Sequence, residues 1–287
     1  MVKHVIGNDE TVGSIPTCGS MNLKFTKMHG IGNDFVVIDN MNGEIVLSSE
    51  QIIFLCDRHK GIGADGVILV EKKDGSDCFM NYYNSDGTLS EMCGNGVRCT
   101  ALFYKEQILE KENNQNIFKI DTRAGIKEIK LENDGTLSVN MGKAFFVHSD
   151  FPKESLEIEG LNIYCVSMGN PHAVAFVDDI EKYNLLEIGP KIENNKNFAN
   201  KINFELVERV SDNEFNMKVW ERGCGATLAC GTGACAVYAL ALKYQNAQKE
   251  MSINLPGGKL YFSSNENDEI IMTGPAVSVF NSDINLN

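Results

Sequence analysis

The chain repeats itself. Gly32-Asn33 sits in HGIGNDFVVID, and Gly169-Asn170 sits in SMGNPHAVAFVDD 137 residues later. Cys93 opens CGNG and Cys230 opens CGTG at the same offset of 137. Each cysteine block runs into an apolar stretch, VRCTALFYKEQI or ACAVYALALKYQ. The halves also close alike, IDTRAGIKEIKLENDGTLSVNMGKA beside INLPGGKLYFSSNENDEIIMTGPA. One pair of short blocks arises readily by chance; a second pair at the same spacing does not. The repeat therefore calls for two homologous domains of about 120–135 residues each, an ordinary domain size. The expected division is residues 21–142 and 143–275, with 276–287 a candidate to complete the first half. Residues 1–20 lie outside the repeat and read as an N-terminal extension, without the apolar core of a secretory signal.

Each half mixes strands with a helix, an α+β class built as two pseudo-symmetric domains. Phe35–Asp39, Val67–Glu71, Cys78–Tyr83, Ile117–Asp121 and Lys127–Leu131 are rich in β-branched and aromatic residues and predict strands. Asn133-Asp134-Gly135 between two such runs predicts a hairpin. After Cys93, the apolar series Val97, Ala101, Tyr104, Ile108 has helical spacing, as do Val237, Leu240, Ala241, Tyr244 after Cys230. So each half is expected to be strands around a helix that starts just after a cysteine, with a cleft between the halves.

Charge and composition narrow the function. The 26 Lys+Arg against 39 Asp+Glu give a net charge of −13, which argues against nucleic-acid or anionic-membrane partners. No apolar run approaches the roughly 18 residues of a membrane helix. The longest, Ala234 to Leu242, reads as a buried helix face. Nine cysteines without a signal sequence favour reduced thiols and a cytoplasmic location over a disulfide framework.

The helix starts carry the chemistry. A helix N-terminus presents unpaired N–H groups and partial positive charge. It can hold a carboxylate and favours a thiolate placed there. Gly94 and Gly96, like Gly231 and Gly233, let backbone approach a ligand closely. Two such cysteines facing each other across a cleft suit a symmetric reaction. One thiolate takes a proton from a carbon, and the opposite thiol returns one to the other face. Amino-acid racemisation or epimerisation has that form, on a small-molecule substrate.

EMCGNGVRC, LACGTGACA, FTKMHGIGNDFVVID, SMGNPH and VWERGCGATLACGTG resemble the diaminopimelate epimerase family, from about Met21 to about Ala276. The resemblance implies a two-domain, cofactor-independent epimerase interconverting LL- and meso-diaminopimelate, in lysine and peptidoglycan synthesis. It implies Cys93 and Cys230 as the catalytic pair, Glu221 as acceptor for the reacting ammonium, and His172 as its assistant. It implies Gly94-Asn95 and Gly231-Thr232 as the helix starts holding the carboxylate at the reacting carbon. Asn33, Asn84, Asn170, Asn203 and Arg222 would bind the distal amino-carboxylate end. The residue types agree, since Arg222 offers a bidentate fork and asparagines offer donors and acceptors without charge. By the repeat, Asn84 corresponds to Glu221 and Gly66 to Asn203. The resemblance also suggests a homodimer.

The alternatives are weaker. Cys93/Cys99 and Cys224/Cys230 each have five intervening residues and no His at ligand spacing, which disfavours a metal site. No Cys-x-x-Cys supports a dithiol oxidoreductase. A non-catalytic amino-acid-binding module would not need both thiols. A proline-racemase-like activity is the serious rival, against which Arg222 and the asparagine set favour a substrate with a second amino-carboxylate. The scheme calls for no pyridoxal phosphate, metal or nucleotide. Cys99, Cys224 and Cys235 are expected to fill core space.

Overall fold

The structure, a computed structural model, describes residues 21–110 and 113–286. The expected N-terminal extension lies outside the described residues. The first half carries β1 (Met21–Gly30), β2 (Asn33–Asn40), α1 (Ser49–Cys56), β3 (Gly66–Glu71), β4 (Cys78–Asn84), α2 (Gly94–Phe103), β5 (Ile117–Asp121), β6 (Lys127–Leu131) and β7 (Leu137–Gly142). The second carries β8 (Ser155–Ile158), β9 (Leu161–Ser167), β10 (Pro171–Val177), α3 (Leu185–Glu193), β11 (Asn203–Arg209), β12 (Glu214–Glu221), β13 (Gly225–Thr227), α4 (Gly231–Tyr244), β14 (Met251–Leu255), β15 (Gly258–Ser264) and β16 (Ile270–Gly274). A last strand, β17 (Val277–Leu286), follows.

The ladders repeat between the halves. In the first, β1 to β7 pair in sequence order, with β2–β3 and β4–β5 parallel and the other pairs antiparallel. In the second, β9, β10, β11, β12, β14, β15 and β16 do the same, with β10–β11 and β12–β14 parallel. The register is shared as well: Phe35 faces Gly66 and His172 faces Asn203, Val67 faces Tyr83 and Phe204 faces Trp220, each pair displaced by 137 residues. Antiparallel β7–β16 pairing joins the halves. β8 caps the edge at β9, and β17 takes the corresponding place on β1, returning from the C-terminal end of the chain.

Parallel neighbours need a crossover. α1 supplies it between β2 and β3, and α3 between β10 and β11. Neither helix was read from the sequence, though Ser48 and Gln51 form a capping box that marks the start of α1. β2 is buried on both faces. Phe35 and Val37 join the core around the central helices, and Val36 and Ile38 join the core under α1. That is why FVVI is a continuous apolar run rather than an alternation. α2 packs against β1 to β7, and α4 against β9 to β11, β15 and β16. From Ala234 to Ala241 every residue of α4 is buried, so it is apolar all round. The helical periodicity after Cys93 runs past the end of α2, where Tyr104–Ile108 continues as a wider π turn. The hairpin at Asn133-Asp134-Gly135 is present, with Leu131 facing Leu137 and Gly135 at φ 85°.

Candidate active site

Cys93 and Cys230 are the N-caps of α2 and α4. Their backbones match, φ −138° ψ 121° and φ −129° ψ 108°. Each sulfur accepts from the N–H three residues on, Gly96 at 3.5 Å and Gly233 at 3.3 Å. Such caps satisfy one of the orphan donors of the first turn. The two helix tips meet. A Cβ on Gly231 would stand 3.7 Å from the Cα of Gly94, and one on Gly94 would collide with Met272 at 2.8 Å. The absence of a side chain at both points leaves the two tips in direct reach of each other, with Met272 packed against them.

The tips open into a cleft of about 1830 Å³ between the halves. Its walls include Asn33, Asn84, Cys93, Gly94, Asn95, Asn170, Glu221, Arg222, Cys230, Gly231 and Thr232. Eleven of the thirteen residues singled out in the sequence thus share one concavity. The other two, His172 and Asn203, lie behind the wall and are buried. His172 sits between Glu205 and Asn170, at 2.7 and 3.1 Å. Asn203 donates to the Pro171 carbonyl at 2.9 Å and accepts from the Arg222 N–H at 2.9 Å. Its side chain therefore holds the loop that carries Arg222.

The remaining polar groups are held in place. The Cys93 thiol donates to Asn33 Oδ1 at 3.4 Å, and Asn95 donates to the same oxygen at 3.2 Å. Asn84 donates to Thr88 at 3.0 Å. Arg222 bonds the Asn200 carbonyl at 3.1 Å and otherwise faces the cleft. Thr227 donates to the Glu221 carboxylate.

Burial favours the neutral forms of the titratable groups at the two helix starts. Burial pushes the Cys93 thiol up to about 11, against the N–H groups of Gly96 and Asn95. Burial, followed by the charges of Glu221 and Glu205, also raises Cys230. Desolvation raises Glu221, opposed by hydrogen bonds from Thr227 and Cys230.

Several residues around this site were not anticipated. Asp34 is clamped by Arg58 at 2.7 and 3.1 Å and by Lys27 at 2.6 Å, on the rim of the cleft. Glu205 and Arg98 are fully buried beneath the helix starts. Cys99 and Cys235 do fill the core, but Cys224 is exposed, because it belongs to the Arg222–Gly225 turn at the cleft.

The family model for diaminopimelate epimerase matches residues 25–147 and 164–279. The chain belongs to the diaminopimelate epimerase family. It is 44% identical to the diaminopimelate epimerase of Trichodesmium erythraeum, covering 91% of this chain and 98% of that one. It is 43% identical to the chloroplastic diaminopimelate epimerase of Oryza sativa subsp. japonica, covering 90% and 79%. The fold recurs more widely. A PhzF-family phenazine biosynthesis protein of Bacillus anthracis superposes with a TM-score of 0.67 at 17% identity, covering 92% of this chain and 99% of that one. A probable proline racemase of Agrobacterium radiobacter superposes with a TM-score of 0.67 at 14% identity, covering 92% and 93%. Membership makes the chain an isomerase acting on a small molecule. Among the described residues, no helix is long and apolar enough to cross a membrane.

Proposed function

We propose that the protein interconverts LL- and meso-diaminopimelate by a two-cysteine proton transfer, and that the residues of the cleft divide the work as follows. The observation that carries this reading is the meeting of two cysteine-capped helix starts, one from each half, at the floor of one cleft. The α-carboxylate of the substrate lies across the two tips, where the first N–H groups of each helix have no intrahelical partner. The α-carbon then sits between the sulfurs. One cysteine, as thiolate, takes the α-proton and becomes a thiol. The electron pair left on carbon delocalises into the carboxylate, which the helix-end N–H groups stabilise. The other cysteine gives its proton to the opposite face and becomes the thiolate. The reverse reaction exchanges the roles.

Glu221 accepts from the α-ammonium, and His172 supports it from behind Asn170. Arg222 takes the distal carboxylate, with Asn33, Asn84 and Asn170 on the remaining amino-carboxylate groups. Asn203 acts through the Arg222 backbone. A cleft of about 1830 Å³ is much larger than a seven-carbon diamino diacid, so the halves close on the substrate and expel water. No step in this scheme draws on a cofactor. The division of the chain at residues 142/143, with β17 completing the first half, belongs to the same reading. So does a cytoplasmic setting without nucleic-acid partners, supported by the charge of −13. A homodimer is part of it too, testable by the mass in solution.

The test is α-proton exchange in deuterated water, under reductant and without added cofactor, with LL-diaminopimelate and L-proline in parallel. Deuterium entering diaminopimelate together with conversion to the meso form is the expected result. Exchange into proline alone would keep the chemistry and overturn the substrate.

A further inference from the structure

The two cysteines cap equivalent helices, but different charges lie beneath them. In the second half a polar chain runs outward to Cys230. Glu205, in the middle of β11, is 2.7 Å from His172 Nδ1, and His172 Nε2 is 3.1 Å from Asn170 Oδ1. Asn170 donates to Thr232 Oγ1 at 3.3 Å, and that hydroxyl is 3.6 Å from the Cys230 sulfur. Glu205 is wholly buried, and its Oε2 has no hydrogen-bond partner among the described residues. The positions displaced by 137 residues from Glu205 and His172 are Ile68 and Phe35, both buried and apolar. In the first half the chain from Cys93 passes through Asn33 and Asn95 and ends on Arg98, whose guanidinium is 2.8 Å from Asn95 Oδ1. Arg98 is also wholly buried. It donates to the carbonyls of Gly94 and Pro275 and, among the described residues, to no carboxylate. One chain ends in a carboxylate, the other in a guanidinium.

We propose that Glu205 is a positioning residue for Cys230: its buried carboxylate keeps Cys230 the protonated member of the pair in the ligand-free enzyme, while Arg98 makes Cys93 the member that ionises first. The geometry at Gly233 supplies the coupling. A Cβ there would lie 2.5 Å from Glu205 Oε1 and 3.2 Å from the Cys230 sulfur, so carboxylate and sulfur are within about 6 Å with no side chain between them. Two anions that close in a water-poor interior repel strongly. Glu221, on β12, acts on Cys230 in the same direction. His172, on β10, is held between Glu205 and Asn170. Cys93 feels Glu221 from across the cleft and Arg98 from its own helix, with opposite signs. Cys93 is then the resting base, and Cys230 the resting proton donor.

This inference rests on the two-cysteine reading, and its test is independent of turnover. The ligand-free full chain is alkylated with iodoacetamide between pH 7 and 11, and the rates at Cys93 and Cys230 are read by peptide mass spectrometry. In Glu205→Gln, which keeps the shape and removes the charge, the Cys230 rate at pH 8 rises about tenfold or more, one unit of ionisation. The Cys93 rate in the same sample stays within about twofold, and Glu205→Asp follows the wild type. An unmoved Cys230, or both cysteines moving together, overturns the proposal. In the wild type itself, the Cys93 rate must level off at lower pH than the Cys230 rate. The reverse order overturns the proposal even should the glutamine variant not fold. Deuterium exchange on the same wild-type sample tests the reaction separately, so a failure of either reading is recognisable.

Discussion

Phe35 and His172 occupy the same point in the two halves, Phe35 facing Gly66 across β2–β3 and His172 facing Asn203 across β10–β11. At this one buried point the duplicated scaffold is apolar in the first half and polar in the second. The helix starts, which both halves keep, serve the reaction that is common to both faces of the carbon. The differences between the halves serve the distinct groups at the two ends of the substrate and the unequal charge beneath the two sulfurs.

Either cysteine alone leaves one face of the carbon without its acid or base. Cys93→Ser and Cys230→Ser are each expected to lower epimerisation by about 10²–10⁴-fold, the range for a lost general acid or base. The LL-to-meso ratio over time checks this. Near-normal conversion in either variant would sink the two-base scheme.

Arg222 is the one guanidinium on the cleft wall carried by the loop that Asn203 holds. Arg222→Ala should raise KM for diaminopimelate about 10–100-fold, since the distal carboxylate loses a charged partner worth about 1.5–3 kcal/mol. The change in kcat should be smaller. Steady-state kinetics decide it, and an unchanged KM would remove Arg222 from the substrate site.

Catalysis needs one thiolate, and burial raises both thiols, Cys93 to about 11. A raised thiol forms its thiolate only at higher pH. The value of kcat/KM should therefore climb close to tenfold per pH unit from about pH 6 to 8. A flat profile over that range would mean that a thiolate is already present at neutral pH.

Asp34 makes the rim sensitive to acid. Burial raises its carboxyl, but hydrogen bonds and charge from Arg58 and Lys27 outweigh this and hold it near about 2, below its ordinary 3.8. A lowered acid contributes stability that is complete above the unfolded value and is lost as pH falls through the folded one. The loss belongs between about pH 4 and 2, and amounts to about 1–2 kcal/mol after allowance for partial exposure. Asp34→Asn should cost about that much at pH 7 and flatten the acid limb of a pH–denaturation series. An Asp34→Asn variant with the wild-type acid limb would show that the clamp contributes nothing.

The sequence made the repeat, the two cysteine helices and most first-half strands legible, because each leaves a local mark: paired blocks at one spacing, apolar periodicity, β-branched runs. α1 and α3 left little, being little more than two turns long; α1 had only its capping box to announce it. Glu205 was hidden for a different reason. An acid inside INFELV is odd in a central strand, yet nothing local says that its partner is His172, 33 residues away. Arg98 was masked by its helix, where an arginine ordinarily faces water. Cys224 was misread as core because cysteines usually bury themselves, whereas its neighbours Gly223 and Gly225, both at positive φ, put it on a turn. Pairings across the fold are set by topology, and these are what the residue string does not spell out.

β17 lies against β1 for almost its whole length, from Met21 facing Leu286 to His29 facing Val277. On the ribosome, β1 is made before every other described strand and its partner β17 after all of them. Through most of synthesis the first half stands with an open strand edge, while the second half already has β8 to close its own. Its assembly therefore waits for β17, and a chain cut just before Val277 would keep both cysteines while the first half stays open along β1.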